Sequence, residues 1–279
     1  MSDPILAVEN LTVRFPGPHG PVAAVRGVSF TLGRERVGIV GESGSGKSMT
    51  GRSILRIAPR TAEVRATRIA FHGEDLLAAS EKRMRAIRGR RISMILQDPR
   101  FSLNPVMRVG DQVAESFRVH HPGRRAQARD RALDMLSQVR IREPKRVYDL
   151  YPHEVSGGMG QRIMIAMMLV PEPEVLIADE PTSALDVTVR TQVLAILDDL
   201  VTQRGLGLVF VSHDLNLVAT FCDRVLVMYA GRIVEECRAA DLARAAHPYT
   251  RGLLAAMPRL DAPRERLAVL QRDPAWLTA

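Results

Sequence analysis

Cysteine is almost absent from this chain of 279 residues: Cys222 and Cys237 are the only two. Such a pair gives neither a disulfide framework nor a metal-spaced cluster, and it suits a reducing compartment. Aromatic side chains make up 4% of the sequence, with one tryptophan, which argues against a platform for stacking single-stranded bases. No apolar run approaches the ~20 residues needed to cross a bilayer; the longest is 163–170, IMIAMMLV. The first residues, MSDPILAVEN, lack a basic segment followed by an apolar one, so no secretory signal is expected and the chain reads as cytoplasmic. Acidic residues are outnumbered, 31 against 39 Lys and Arg, for a net charge of +8. The excess is arginine scattered over 83–91, 124–131 and 259–266, a pattern of solvated helix faces.

Against those absences stands a clear alternation of element types. Residues 6–15 (LAVENLTVRF) alternate as a strand, a Pro/Gly turn follows at 16–21, and 22–32 resumes the β pattern. Short apolar strands are predicted at 36–40, 68–71, 92–96, 175–178 and 206–211, with helical patterns at 47–56 and 188–204. Residues 224–229 and 232–235 flank Ala230-Gly231 as a hairpin. Strand–helix–strand alternation predicts an α/β core with a mainly parallel sheet, and the amphipathic stretch from about 100 to 165 predicts a helical insertion within it.

GESGSGKS at 41–48 matches G-x-x-x-x-G-K-[ST] in full, with a strand before it and a helix after. Its glycines let the backbone wrap a polyphosphate while N–H groups at the helix start point at phosphate oxygens. Lys47 is placed to neutralise β- and γ-phosphate charge, and the Ser48 hydroxyl to ligate Mg²⁺. VLIADE at 175–180 is an apolar strand ending in two acids. Asp179 suits a magnesium shell, and Glu180 suits a group that orients or deprotonates water. Gln97, His213 and the glycine-rich HEVSGGMGQR at 153–162 carry no clear chemistry when taken singly. Their order along the chain is informative: Lys47, Gln97, Ser156, Asp179-Glu180, Asp186, His213.

In that order the chain resembles the nucleotide-binding subunit of an ATP-binding-cassette (ABC) transporter, over residues 5–260. The resemblance rests on GESGSGKS (Walker A), LQDP at 96–99 (Q-loop), VSGGMGQR at 155–162 (signature), VLIADE (Walker B), SALD at 183–186 (D-loop) and SHD at 212–214 (switch histidine). It implies the ABC ATPase fold: a RecA-like P-loop NTPase core with an antiparallel β subdomain and an inserted α-helical subdomain. The expected boundaries are 1–98 and 169–239 for the core, 99–168 for the helical subdomain, and 240–279 for a C-terminal extension. It also implies that Glu180 is the catalytic carboxylate, that His213 contacts the γ-phosphate, and that Gln97 links Mg²⁺ and water to the helical subdomain. Gly41, Glu42, Ser43, Gly44, Ser45, Gly46, Lys47, Ser48 and Met49 would form the phosphate site, with Ser48, Gln97 and Asp179 around Mg²⁺. Phe15, 26 residues before Gly41, would stack on adenine, although a strand Phe facing the core would look the same. Ser156, Gly157 and Gly158 would bind, across a cassette dimer, the γ-phosphate of the ATP held by the other subunit, and Gln161 and Asp186 are expected among the cofactor-binding residues.

Several phrases resemble the importers of oligopeptides, dipeptides and nickel or metal chelates: QDPRFSLNP (97–105), YPHEVSGGM (151–159), IADEPTSALDVTV (177–189) and HPYTRGLLAAMPRLD (247–261). The resemblance implies a second ATPase subunit, two transmembrane permease subunits and an extracytoplasmic binding protein, at the cytoplasmic face of the membrane. Di- or oligopeptides are the first expectation for cargo, with nickel or a metal chelate as the alternative. No cysteine falls in 247–279, so no iron–sulfur cluster is expected there. Val155 and Gly160 depart from the signature, which more often has Leu and a basic residue. A soluble ABC ATPase acting on nucleic acid or ribosomes is the other class considered. It would call for a long coiled-coil insert or a second cassette, and neither pattern is present. A binding module without hydrolysis is disfavoured by Glu180 and His213 together, and no nucleic-acid partner is expected.

Overall fold

In strand β1 (Leu6–Phe15) the side chains of Leu6, Val8, Leu11 and Val13 are buried while Glu9 and Arg14 face solvent. The burial steps by three between Val8 and Leu11, which a strict two-residue period forbids. A register shift against β2 (Val22–Leu32) at that point absorbs the extra residue, with Asn10 and Gly27 both at positive φ. The computed structural model describes residues 3–96, 102–183 and 185–257, together with Asp273 and Trp276. The chain divides into two compact units, one made of Met1–Leu77 with Val209–Ala279 and the other of Ala78–Leu208.

The first unit holds an antiparallel sheet and most of a parallel one. Strand β3 (Arg36–Val40) leads into helix α1 (Lys47–Ile54), and β4 (Glu63–Arg65), β5 (Arg68–Phe71) and β6 (Glu74–Asp75) follow. The antiparallel sheet has the order β2-β1-β5-β6, with β4 also on β1. The later strands of this unit are β9 (Gly207–Ser212, within it from Val209), β10 (Arg224–Tyr229) and β11 (Arg232–Arg238). With β3 they give the order β11-β10-β3-β9. β10 runs parallel to β3 and antiparallel to β11. Two short helices complete it, α8 (Leu215–Phe221) and α9 (Pro248–Ala256).

The second unit is mainly helical. It comprises α2 (Glu81–Ile87), β7 (Ile92–Ile95), α3 (Val109–His120), α4 (Ala128–Gln138), α5 (Pro144–Tyr148), α6 (Gly157–Leu169), β8 (Val175–Asp179) and α7 (Val187–Arg204). β7 and β8 pair in parallel, Ile92 opposite Val175 through Ile95 opposite Ala178, and every one of their residues is buried. That is why both read as unbroken apolar runs instead of alternating ones. Val113 and Phe117 of α3, Ala132 and Leu136 of α4, and Ile163 and Ala166 of α6 are sealed from solvent in the helical core. Ion pairs at the rim join the residues that lead into β7 and β8, Arg91 with Glu174, and the turn after α4 to α7, Arg140 with Asp199 at 2.6 Å. Among the described residues no helix is long and apolar enough to cross a membrane.

Predicted strands and observed strands agree closely. β1, β2, β3, β5 and β10 have the expected bounds, and β7, β8 and β9 shift by one residue. α1 stops at Ile54, two residues short of expectation, and the stretch expected as one helical insertion resolves into α3 to α6. β4, β6, α2 and α8 were not predicted; each is too short for a periodic pattern to declare it.

Candidate functional site

The 41–48 loop is shaped by close approach at two glycines. A Cβ at Gly41 would lie 2.1 Å from the Met228 carbonyl oxygen, and one at Gly46 would lie 2.4 Å from that of Ala24. Both residues also have positive φ, 151° and 101°, so substitution would cost both overlap and torsional strain. The contacts come from β10 and β2, which press the loop into its turn from two sides. The β10–β11 hairpin adds a hydrogen bond from Gly231 N–H to Ser45 O (3.1 Å). Lys47 is buried, and its ammonium donates to the carbonyls of Gly41 (2.8 Å) and Glu42 (2.9 Å). Ser43 and Gly44 are exposed at the tip.

Lys47 opens α1, whose first turn carries no acid. The helix start therefore presents N–H groups and the positive end of its dipole beside a lysine, without a competing carboxylate in the turn. This arrangement can bind polyphosphate. Ser48 and Met49 are half-buried within that turn. Also in the first unit, Phe15 is only half-buried at the end of β1, opposite Val22, which is 58% exposed. His213 is exposed on the turn after β9. Flanking bonds fix that turn, from Asp214 N–H to Ser212 Oγ (3.0 Å) and from Leu217 N–H to Asp214 Oδ1 (3.0 Å), where Asp214 caps α8.

In the second unit, β8 delivers Asp179 at its last position, 1% exposed. Glu180 follows with φ of 47°, a left-handed conformation that is strained for a residue with a Cβ. Pro181 behind it disfavours the right-handed helical region at Glu180. The Glu180 carbonyl accepts from Ser183 N–H (3.3 Å) and Ser183 Oγ (3.2 Å), closing the turn. The left-handed residue ends the extended backbone of β8 just where the second acid leaves it. The sequence pattern marked both acids but not this turn.

The signature segment is the start of α6. Ser156 is its N-cap and accepts from Met159 N–H (3.3 Å). Ser156 and Gly157 are exposed, and a Cβ at Gly157 would meet nothing within 4 Å. Among the described residues nothing crowds a side chain at 157, so steric room alone does not account for its glycine. A Cβ at Gly158, in contrast, would lie 2.7 Å from Val189 Cγ1 of α7. Gln161 is buried, and its amide donates to the Pro181 carbonyl (2.6 Å), linking α6 to the turn after Glu180. Asp186 caps α7 by accepting from Val189 N–H (3.0 Å). Gln97 lies outside the described residues.

The family described as ABC transporter matches residues 25–183. A probable peptide ABC transporter ATP-binding protein, y4tR of Sinorhizobium fredii, is 50% identical over 260 residues, 92% of this chain and 78% of the relative. The dipeptide transport ATP-binding protein DppD of Bacillus subtilis is 48% identical over the same shares. Among solved structures, the dimeric, post-hydrolysis ATP-binding cassette MJ0796 bound to ADP and phosphate superposes with a TM-score of 0.72 at 26% identity. That match covers 84% of this chain and 98% of the other.

Proposed function

The chain belongs to the ABC transporter family as an ATP-binding cassette, and from that premise we propose that it hydrolyses ATP to energise import of di- or oligopeptides. The observation that carries the nucleotide reading is the 41–48 loop, held between two strands with Lys47 buried behind it and the start of α1 beneath it. The peptide cargo is supported by the likeness to relatives named for peptide and dipeptide transport. Membrane permeases, an extracytoplasmic binding protein and a second ATPase subunit follow from that system, with this chain peripheral on the cytoplasmic face.

Within the site, loop amides and Lys47 bind the β- and γ-phosphates, and Phe15 stacks on the base from the edge of its strand. Mg²⁺, bound with ATP, supplies charge neutralisation of the polyphosphate. A hydroxyl and a buried carboxylate are hard oxygen donors that fit it, so Ser48 and Asp179 would hold it together with Gln97. Glu180 orients the attacking water and takes its proton, with His213 on the γ-phosphate. Ser156, Gly157 and Gly158 bind the γ-phosphate of ATP held by the facing cassette. Gln161 and Asp186 act by positioning, through the turn after Glu180 and the start of α7.

The test is ATP turnover by the full chain assembled with its membrane subunits. Glu180→Gln should leave ATP affinity unchanged and lower kcat by about 10²- to 10⁴-fold, the usual contribution of a general base. Undiminished turnover would remove Glu180 from the chemistry. Uptake of a labelled dipeptide that persists after deletion of the chain would remove the peptide cargo.

A further inference from the structure

The sequence segment HPYT at 247–250 has no part in the roles above, yet it reaches the phosphate loop. Tyr249 is fully buried, and its hydroxyl oxygen accepts from the Glu42 N–H at 3.1 Å. The Gly41 carbonyl, on the same peptide unit, accepts from Lys47 Nζ at 2.8 Å. A trans peptide is planar, with its C=O and N–H pointing to opposite sides. One rigid plate is therefore gripped at one edge by the tyrosine and at the other by the lysine.

The grip has its own foundation. Glu235 Oε1 in β11 accepts from the N–H groups of Ala246 (2.6 Å) and His247 (3.3 Å), which fixes where the segment begins. His247 Nδ1 then accepts from Tyr249 N–H (3.2 Å) as the N-cap of α9. The Tyr249 ring lies 4.4 Å from that of Tyr229, the residue after Met228, whose carbonyl confines Gly41. Trp276 meets both rings, at 5.6 and 5.7 Å between centroids.

We infer that the C-terminal segment is part of the nucleotide-binding apparatus, with Tyr249 a positioning residue that fixes the Gly41–Glu42 peptide and, through it, the ammonium of Lys47. The inference rests on the ATP-binding reading above. Without the hydroxyl the plate can rotate about its flanking bonds, and the carbonyl that aims Lys47 turns with it.

The experiment compares the full chain with Tyr249→Phe and Tyr229→Phe, which each lose one hydroxyl from the same aromatic cluster. Mg-ATP binding is measured by titration calorimetry and amide exchange is followed at Glu42. Tyr249→Phe should weaken ATP binding about two- to tenfold, the worth of one ordinary hydrogen bond. It should also speed exchange at Glu42 while leaving the rest of the unit as protected as before. Tyr229→Phe should do neither. Unchanged ATP affinity in Tyr249→Phe overturns the inference, and so does a loss shared equally by Tyr229→Phe with faster exchange throughout the unit. If Tyr249→Phe does not fold, Glu235→Ala, which releases the segment at its start, should weaken ATP binding in the same direction; wild-type affinity there overturns the inference. A wild-type chain that binds no Mg-ATP would instead sink the nucleotide reading, while exchange at Glu42 still reports on the tyrosine.

Discussion

At Gly160, inside α6, an added Cβ would come no closer than 3.9 Å to Leu103 Cδ1. The position thus accepts alanine without displacing a neighbour, and alanine loses less conformational freedom in a helix than glycine does. Gly160→Ala should raise unfolding stability by about 0.5–1 kcal/mol, read as a higher urea midpoint at unchanged slope. Glycine at 41 has a different cause, because the Met228 carbonyl fills the space a side chain would take. The loop residues were legible from sequence, since their spacing encodes the turn itself. Tyr249 was not: its partner is 207 positions away, and no local pattern reports a contact of that span. The left-handed backbone at Glu180 was equally hidden, with only Pro181 after it as a hint.

Among the elements, α3 carries a pH liability. His120 at its end is partly buried, and its pKa is lowered below the usual histidine value by burial first, then by His121 and Arg90. His121 is lowered too, again chiefly by burial. A lowered folded-state pKa means that the unfolded chain takes up protons first as pH falls. Stability contributed by these neutral imidazoles is therefore present above the model-peptide value of 6.5 and is lost on acidification through the lower folded value. The urea midpoint should drop between pH 7.5 and 5.5, and His120→Gln should flatten that drop. Equal slopes in the two proteins would show that other groups dominate. Elements of this kind were legible where a period could repeat: the apolar runs of β3, β8 and β9, and the long pattern of α7. Two- and three-residue strands such as β6 and β4 form because a neighbour supplies their hydrogen bonds, and a neighbour is not written in the local sequence.

For the molecule as a whole, binding and stability are one quantity. A ligand that binds only the folded chain stabilises it by about 2.7 kcal/mol at a concentration 100 times its Kd. Mg-ATP should raise the melting temperature of the wild-type chain, and Lys47→Ala should abolish most of the rise when each protein is compared with its own ligand-free value. An equal rise in that variant would place the nucleotide elsewhere. The family architecture was legible at this scale because six motifs fall in one order along the chain. The division into units was less so, since it depends on which distant segments pack together.

The first unit is assembled from two segments far apart in sequence, Met1–Leu77 and Val209–Ala279. Strand β3, which launches the phosphate loop, pairs with β10, and that strand leaves the ribosome only after the entire second unit. At synthesis rates of about 5–20 residues per second, the delay is on the order of ten seconds. For that interval the nascent chain holds an apolar strand with an open edge, a template for wrong pairing. The phosphate-binding unit therefore closes late in biogenesis, after the second unit has been made, and the tyrosine that grips its loop comes from a segment made later still than β10.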